Sequence, residues 1–347
     1  MNLSVVVVTF QSAEAVAAAL PPLVAQLRPQ DELVIVDNGS TDDTIERVRA
    51  LAPAATVLEL GRNTGFAAGA NAGARAARGD LLLFLNPDAT PATGFADAIR
   101  APLEAGRGWD AWMGLVTASG GRVVNTNGGV VHFTGISWAG EAGVPAPGSA
   151  TAPREVAFAS GACLAVPRAS WERLGGFPGH YFMYHEDVDL SLRIRLAGGR
   201  VGVEPAAAVD HDYEFGKGAA KWRRLERNRW ATILRCYPMP LLVLLAPALL
   251  ATEVALLAAA ATGGWLPQKL RAYAETLAAL SQLWRERRAV QATRRVSAGE
   301  FAAWLSHDLD SPFLGRAGRS PLVRLCLRVY WAGVVRALGR PPLASTA

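Results

Sequence analysis

The sequence is poor in charge. Only 19% of its 347 residues are Asp, Glu, Lys or Arg, against 51% hydrophobic. A chain this apolar has some surface left over for a medium such as lipid. Cysteine is scarce: Cys163, Cys236 and Cys326 are far apart, odd in number and form no CxxC pair. That is not a disulfide framework, and it points to reduced thiols in a cytoplasmic setting. There is no GxGxxG dinucleotide fingerprint and no internal repeat. The opening MNLSVVVVTF has no basic residue ahead of a short apolar run, so it reads as a first strand and not as a secretory signal.

Acid is nearly missing from the second part of the chain. Residues 1–216 hold 15 Lys and Arg against 23 Asp and Glu, whereas residues 217–347 hold 20 against 7. Such asymmetry implies two jobs, and a basic half suits nucleic acid or an anionic membrane. Here the basic clusters flank Leu/Ala runs instead of an aromatic platform, which favours an anionic membrane surface as partner over nucleic acid.

What is present early is an alternation. LSVVVVTF (3–10), LVIVD (33–37), TVLEL (56–60) and LLLFL (81–85) are short continuous apolar runs, the mark of parallel strands covered on both faces. Ala-rich stretches between them predict helices over about 12–27, 42–51, 65–78 and 93–105. The order predicts an α/β, doubly wound sheet, in which ligands bind beyond the carboxyl ends of the strands. From 107 to 166 the pieces become short and β-like. Residues 145–153 read as a mobile loop, and EVAFASGACLAVP (155–167) reads as one more buried strand, followed by GRVGVEP (199–205). In 186–197, Val188, Leu190, Leu192, Ile194 and Leu196 alternate like a strand, yet the Gly-Gly stop and Leu/Arg content predict a helix enclosed on two sides. Residues 239–261 are long and apolar enough to cross a bilayer, but Pro240, Pro247 and Glu253 equally suit an interfacial or re-entrant helix, or a buried hairpin. Residues 282–301 and 320–340 are basic amphipathic stretches.

The polar motifs follow the strand ends. In VIVDNGSTDDT, Asp37 and Asn38 end a strand, where a carboxylate can accept a hydrogen bond from a pyrimidine imide. Ser40, Thr41 or Asp42 would cap the next helix. In GRNTGFAAGANAG, Gly69 and Gly73 line one helix face for close packing on the sheet, while Arg62 and Asn63 sit in a loop within reach of a ribose or phosphate. LLLFLNPDAT presents Asn86 and Asp88 around the stiff Pro87. One or two carboxylates suffice for a hard cation shared with a diphosphate, although a plain turn aspartate fits the same letters. His211 follows a strand in an acidic setting and is either structural or a cation ligand. The crowded acids Glu186, Asp187 and Asp189 come directly after His185. Asp187, then Glu186, suits a general base. Asp189 is placed to cap the helix or to pair with Arg193 four residues on.

Taken in order, VVVVTFQS, VDNGSTDDT, RNTGFAAGANAG, LNPDA, SGACLAVPR and FMYHEDVDLSLRIRLAGG resemble family 2 glycosyltransferases of the GT-A fold, most closely the bacterial rhamnosyltransferase branch. The resemblance covers about residues 1–235. It implies a GT-A catalytic domain over 1–216, with a nucleotide-sugar half to about 106 and an acceptor half after it. A basic, apolar helical region, 217–347, would associate with the membrane. By the same resemblance, Thr9, Asp37, Asn38, Arg62, Asn63, Gly65 and Asn86 would serve the nucleotide sugar. Asp88 and His211 would hold Mg2+ or Mn2+. Asp187, with Glu186, would be catalytic, and His185, Gly161 and Ala162 would face the acceptor. Gln11 stands where Asn is usual, Asn86 where the first acid of the DXD motif is usual, and Pro178-Gly179 where Asp-Glu is common.

The implied reaction is an inverting transfer from a nucleotide-diphosphate sugar, dTDP-rhamnose or a UDP-sugar, to a glycan or polyprenyl-diphosphate-linked hydroxyl in cell-envelope polysaccharide synthesis. The expected location is the cytoplasmic side of the cell membrane, peripheral or partly inserted. The competing readings are a transferase to polyprenyl phosphate itself and a catalytically inactive sugar-binding or scaffold protein. A nucleotide-sugar pyrophosphorylase is excluded because VTFQSAEAV lacks the Gly, Arg and Lys of its first loop.

Overall fold

The computed structural model describes residues 1–147, 151–212, 218–310 and 320–339. Residues 148–150 of the loop expected at 145–153 lie outside the described residues. The chain divides into two compact units. One comprises 1–129, 139–194 and 199–214; the other 130–138, 195–198 and 215–347.

The first unit begins with β1 (Leu3–Thr9), α1 (Ala13–Val24), β2 (Glu32–Asp37), α2 (Thr44–Leu51), β3 (Thr56–Glu59), α3 (Phe66–Ala76) and β4 (Leu81–Leu85). β1 lies parallel to both β2 and β4, and β2 parallel to β3. β1 and β4 are buried along their whole length, as their unbroken apolar runs require. β3 is half exposed, because it forms the edge of the sheet and not an inner strand. Gly69 and Gly73 do line the face of α3 that meets the sheet. A Cβ on Gly73 would stand 2.3 Å from Val6 Cγ1, and one on Gly69 2.8 Å from Val8 Cγ1.

The chain continues through β5 (Thr90–Pro91), α4 (Phe95–Glu104), β6 (Ala111–Ala118), β7 (Val123–Thr126), a hairpin of β8 (Gly129–Val131) and β9 (Ser137–Ala139), β10 (Arg154–Glu155), β11 (Cys163–Pro167), α5 (Arg168–Leu174), α6 (Glu186–Leu196) and β12 (Val201–Asp210). The main sheet runs β10-β12-β6-β11-β4-β1-β2-β3. β11 is antiparallel to β4 and β6, while β6 and β12 are parallel, so the sheet is mixed.

Two expectations meet the structure here. The run 155–167 is not one strand: its strands are Arg154–Glu155 and Cys163–Pro167, with a lone bridge from Phe158 to Gly129 between them. Between them the chain turns at the end of the sheet, and apolar content alone does not distinguish an apolar turn from a strand. The acid-rich segment is a helix, α6, and its alternating residues Val188, Leu190, Leu192, Ile194 and Leu196 are all buried. A helix enclosed on opposite sides carries apolar residues on both, which imitates strand alternation. Gly198, at φ +79°, ends it.

The second unit contains α7 (Ala219–Cys236), α8 (Met239–Thr262), α9 (Leu266–Ala278), α10 (Leu280–Ala292), α11 (Ala298–Ala302) and α12 (Pro321–Ala337). α8 is one helix. Pro240 sits in its first turn, where no N–H is needed. Leu241, Leu245 and Leu249 face inward, but only 22% of its most apolar 18-residue stretch is buried, which is not the packing of a buried hairpin. Its single acid, Glu253, also turns inward. Lys269 Nζ donates to it at 2.7 Å, and Arg229 and Tyr273 bond it too. The stretch 282–301 resolves into α10 and α11, the latter begun by a capping box between Ser297 and Glu300.

Candidate active site

Three loops meet beyond the carboxyl ends of β1, β2 and the edge strand β3. Asp37 ends β2, and its carboxylate is gathered from four sides. Thr9 Oγ1 donates to Oδ1 at 2.9 Å and Ser40 Oγ at 2.5 Å, while the N–H groups of Gly39 and Ser40 donate to Oδ2 at 2.9 and 2.8 Å. Ser40 therefore serves Asp37 and does not cap α2. Thr41 N–H donates to Gln11 Oε1 at 2.8 Å, so Thr41 does not cap it either. Asp42 instead accepts from Thr44 N and Thr44 Oγ1, at 3.3 and 2.5 Å. Gln11, at φ +50°, thus clasps the β2–α2 loop.

Asn38 bridges to the next loop. Its Nδ2 donates to Gly65 O at 3.2 Å, and its Oδ1 accepts from Thr64 N and Oγ1 at 3.2 and 2.9 Å. Asn63 Oδ1 accepts from Gly65 N at 3.0 Å, and Arg62 stands exposed beside it. Gly65 has φ +85°, and a Cβ there would fall 2.5 Å from Phe182 O, so only glycine fits. Thr9, Asp37, Asn38, Arg62, Asn63 and Gly65 therefore form one cluster.

Asn86 and Asp88 follow β4, and His211 follows β12. His211 Nε2 lies 3.1 Å from Asp88 Oδ1 and 3.2 Å from Asn86 Nδ2. The imidazole is set by its backbone: its N–H donates to Thr117 O at 2.9 Å, and its carbonyl accepts from Asn125 Nδ2 at 2.8 Å. Asp88 is half exposed and His211 buried. No cluster of three or more His, Cys, Asp or Glu ligands occurs among the described residues. One carboxylate and one imidazole make a donor set that fits a hard divalent cation keeping its other positions for phosphate oxygens and water.

The three acids of α6 separate by environment. Asp189 is buried and structural: Arg193 Nε donates to it at 2.6 Å and Tyr181 Oη at 3.2 Å. Asp187 accepts from Gly161 N at 2.9 Å and from Val188 N at 2.8 Å. Burial raises its carboxyl above the ordinary aspartate range, against the pull of those N–H donors. Glu186 is buried, and its Oε2 has no hydrogen-bond partner among the described residues. Burial first, then the neighbouring Asp187 and Asp189 charges, push its carboxyl well above the ordinary range. Both carboxyls thus resist ionisation, with the N–H groups of Gly161 and Val188 favouring the charged form of Asp187. His185 is buried directly before them, and Phe182, Tyr184 and His185 all have positive φ. Left-handed non-glycine residues are costly and gather at functional sites.

These groups are connected. Asp187 grips Gly161 N, the next residue's carbonyl (Ala162 O) accepts from Asn86 N at 3.0 Å, and Asn86 leads to Asp88 and His211. Asp187 and the Asp88–His211 pair therefore sit at one end of the sheet. Sequence reasoning missed Phe182 and Thr64, and it read Ser40 only as a cap. The φ values around Phe182 leave no compositional trace. Ser40, three residues after Asp37, carried a signal, since short hydroxyl side chains near a carboxylate at a strand end often bond it.

Residues 4–129 match the model of the family described as Glycosyl transferase family 2. An N-acetylglucosaminyl-diphospho-decaprenol L-rhamnosyltransferase of Mycobacterium tuberculosis is 29% identical over 241 residues, 62% of this chain and 78% of that one. Among solved structures, GalNAc-T7 with UDP, GalNAc and Mn2+ superposes with a TM-score of 0.57 at 17% identity, over 69% of this chain and 48% of that one. S. aureus TarS gives a TM-score of 0.55 at 18% identity, over 97% and 55%. The chain thus spans about half the length of these two structures, and the likeness to them is one of fold. Residues 4–129 thus match glycosyl transferase family 2, the fold is of the GT-A type, and the chain is a glycosyltransferase.

Proposed function

We propose that the chain moves a sugar, with inversion, from a nucleotide-diphosphate donor to a hydroxyl of a lipid-linked or glycan acceptor in cell-envelope synthesis. The observation that carries this is the short hydrogen-bonded path from Asp187 through Gly161, Ala162 and Asn86 to the Asp88–His211 pair. It supports a single displacement across one bound sugar. Asp187 takes the proton of the acceptor hydroxyl as that oxygen bonds the anomeric carbon and the bond to the diphosphate breaks. Burial holds the Glu186 carboxyl well above the ordinary range beside it, which disfavours a second charge next to Asp187. Asp88 and His211 would hold a divalent cation, Mg2+ or Mn2+, which when bound stabilises the charge of the leaving diphosphate. Asp37, gathered by Thr9 and Ser40, is set to accept from a nucleobase, and the loop of Arg62 and Asn63 to meet ribose or phosphate.

The mycobacterial relative's name supports a rhamnosyl donor, for which we take dTDP-rhamnose ahead of UDP-sugars, and a polyprenyl-diphosphate-linked acceptor. A basic second unit with an exposed apolar helix supports work at a membrane surface, on its cytoplasmic side. Nucleotide release from a panel of nucleotide-diphosphate sugars, with Mg2+ or Mn2+ and with EDTA, tests the reading. Turnover of at least one donor, abolished by EDTA, is expected. No turnover of any donor would favour an inactive sugar-binding protein. Radiolabel recovered on polyprenyl phosphate itself, and not on a lipid-linked glycan, would change the acceptor.

A further inference from the structure

Helix α8 has the polarity of a water-exposed helix turned inside out. Its one charged residue, Glu253, points inward to Arg229 and Lys269. The residues it turns outward include Val243, Ala246, Leu250, Ala251, Val254 and Ala258, with no charge among them. Leu250 is 68% exposed, Val243 65% and Val254 62%, and their spacing sets them on one stripe. An exposed apolar face of this length marks contact with lipid or with another protein.

Charge decides between these. The exposed surfaces of α9, α10 and α12 carry Arg271, Arg285, Arg288, Arg328 and Arg336, whereas Glu300 and Asp310 are the exposed acids among the unit's described residues. α12 packs on α8, where Tyr330 Oη bonds Leu244 O, and it adds exposed Leu322, Leu325 and Val329. An exposed apolar face on a unit whose exposed charges are mostly cations complements an anionic lipid surface. A second copy of this chain would bring the same cations against each other.

The packing also decides how α8 meets the lipid. A spanning helix is surrounded by hydrocarbon or by other spanning helices. α8 instead buries Leu241, Leu245 and Leu249 within its own unit and ties Glu253 to α7 and α9. α7 carries Lys221, Arg223, Arg224, Glu226, Arg227 and Arg229 within nine residues, too much charge to follow α8 into a bilayer core.

We propose that α8 lies in the plane of an anionic membrane, its Val243–Leu250–Val254 stripe sunk among the acyl chains of one leaflet, and does not span the bilayer. The proposal rests on the reading that the second unit associates with a membrane. The test uses the full chain with Cys326→Ser, since Cys163 and Cys236 are buried. Val243→Cys, Leu250→Cys, Val254→Cys and Ala258→Cys are each labelled with an environment-sensitive fluorophore. They are mixed with phosphatidylcholine/phosphatidylglycerol vesicles containing doxyl quenchers at graded depths. In-plane binding predicts flotation with the vesicles and one common shallow depth, roughly 5–10 Å below the headgroups. Flotation with depths that run across the bilayer, over roughly 20 Å between positions 243 and 258, would overturn the in-plane placement and leave the membrane reading standing. Absence of flotation would overturn both. Probes already shielded without lipid, in a species that sediments as a dimer, would assign the face to a second copy and overturn the proposal.

Discussion

Asp189 is neutralised by Arg193, Asp187 is held by two backbone N–H groups, and Glu186 Oε2 is buried without a partner among the described residues. These surroundings have consequences that can be measured. A carboxyl whose folded pKa is raised favours the folded state at low pH, and that advantage is lost as pH rises through the folded value. Ionising Glu186 therefore costs stability near neutral pH. Glu186→Gln should raise Tm at pH 8 by roughly 1–3 °C and leave it unchanged at pH 4, by differential scanning calorimetry. A fall in Tm at pH 8 would contradict this. Because burial also raises Asp187, the acidic limb of kcat/KM should rise with pH at a value above the ordinary aspartate range, near 4. A limb at or below 4 would mean that another group is the base. Gly65→Ala should lower donor affinity at least tenfold in calorimetry, since its Cβ would push Phe182 from the loop. Part of this was legible: the i,i+4 spacing of Asp189 and Arg193 announced their pair. The grip of Gly161 on Asp187 was not, because it depends on a chain reversal inside an apolar run.

The elements show where patterns carry information and where they do not. Unbroken apolar runs located β1, β2 and β4 to within a residue or two, because an inner strand has no exposed face to encode. β3 gave the same letters from an edge position. α8 was visible as a long apolar helix, but the direction of Glu253 depends on Arg229 and Lys269, which come from other helices. That inward pair is a structural commitment. Glu253→Gln leaves two buried cations, Arg229 and Lys269, with Glu226 as the carboxylate that still bonds both, and should cost about 3–5 kcal/mol, read as a lower urea midpoint at constant slope. An unchanged midpoint would show that Glu226 suffices to compensate Arg229 and Lys269.

For the molecule as a whole, the asymmetry of charge becomes an asymmetry of partners. The first 216 residues carry an excess of acid and the remainder an excess of base, so binding to anionic vesicles should weaken severalfold between 0.1 and 0.5 M NaCl as the Debye length shrinks. Binding unaffected by salt would mean that the apolar stripe acts without the arginines. The division of labour between the units remains bound to the chemistry at the end of the sheet, where Asp187 and the Asp88–His211 pair are connected through Gly161, Ala162 and Asn86. The most direct test is Asp187→Asn, measured as donor affinity by calorimetry and as turnover by nucleotide release, with the donor that the wild type turns over. Donor affinity within about twofold of wild type and turnover reduced by about 10²–10⁴ are expected of a lost general base. Turnover above about a tenth of wild type would contradict the account.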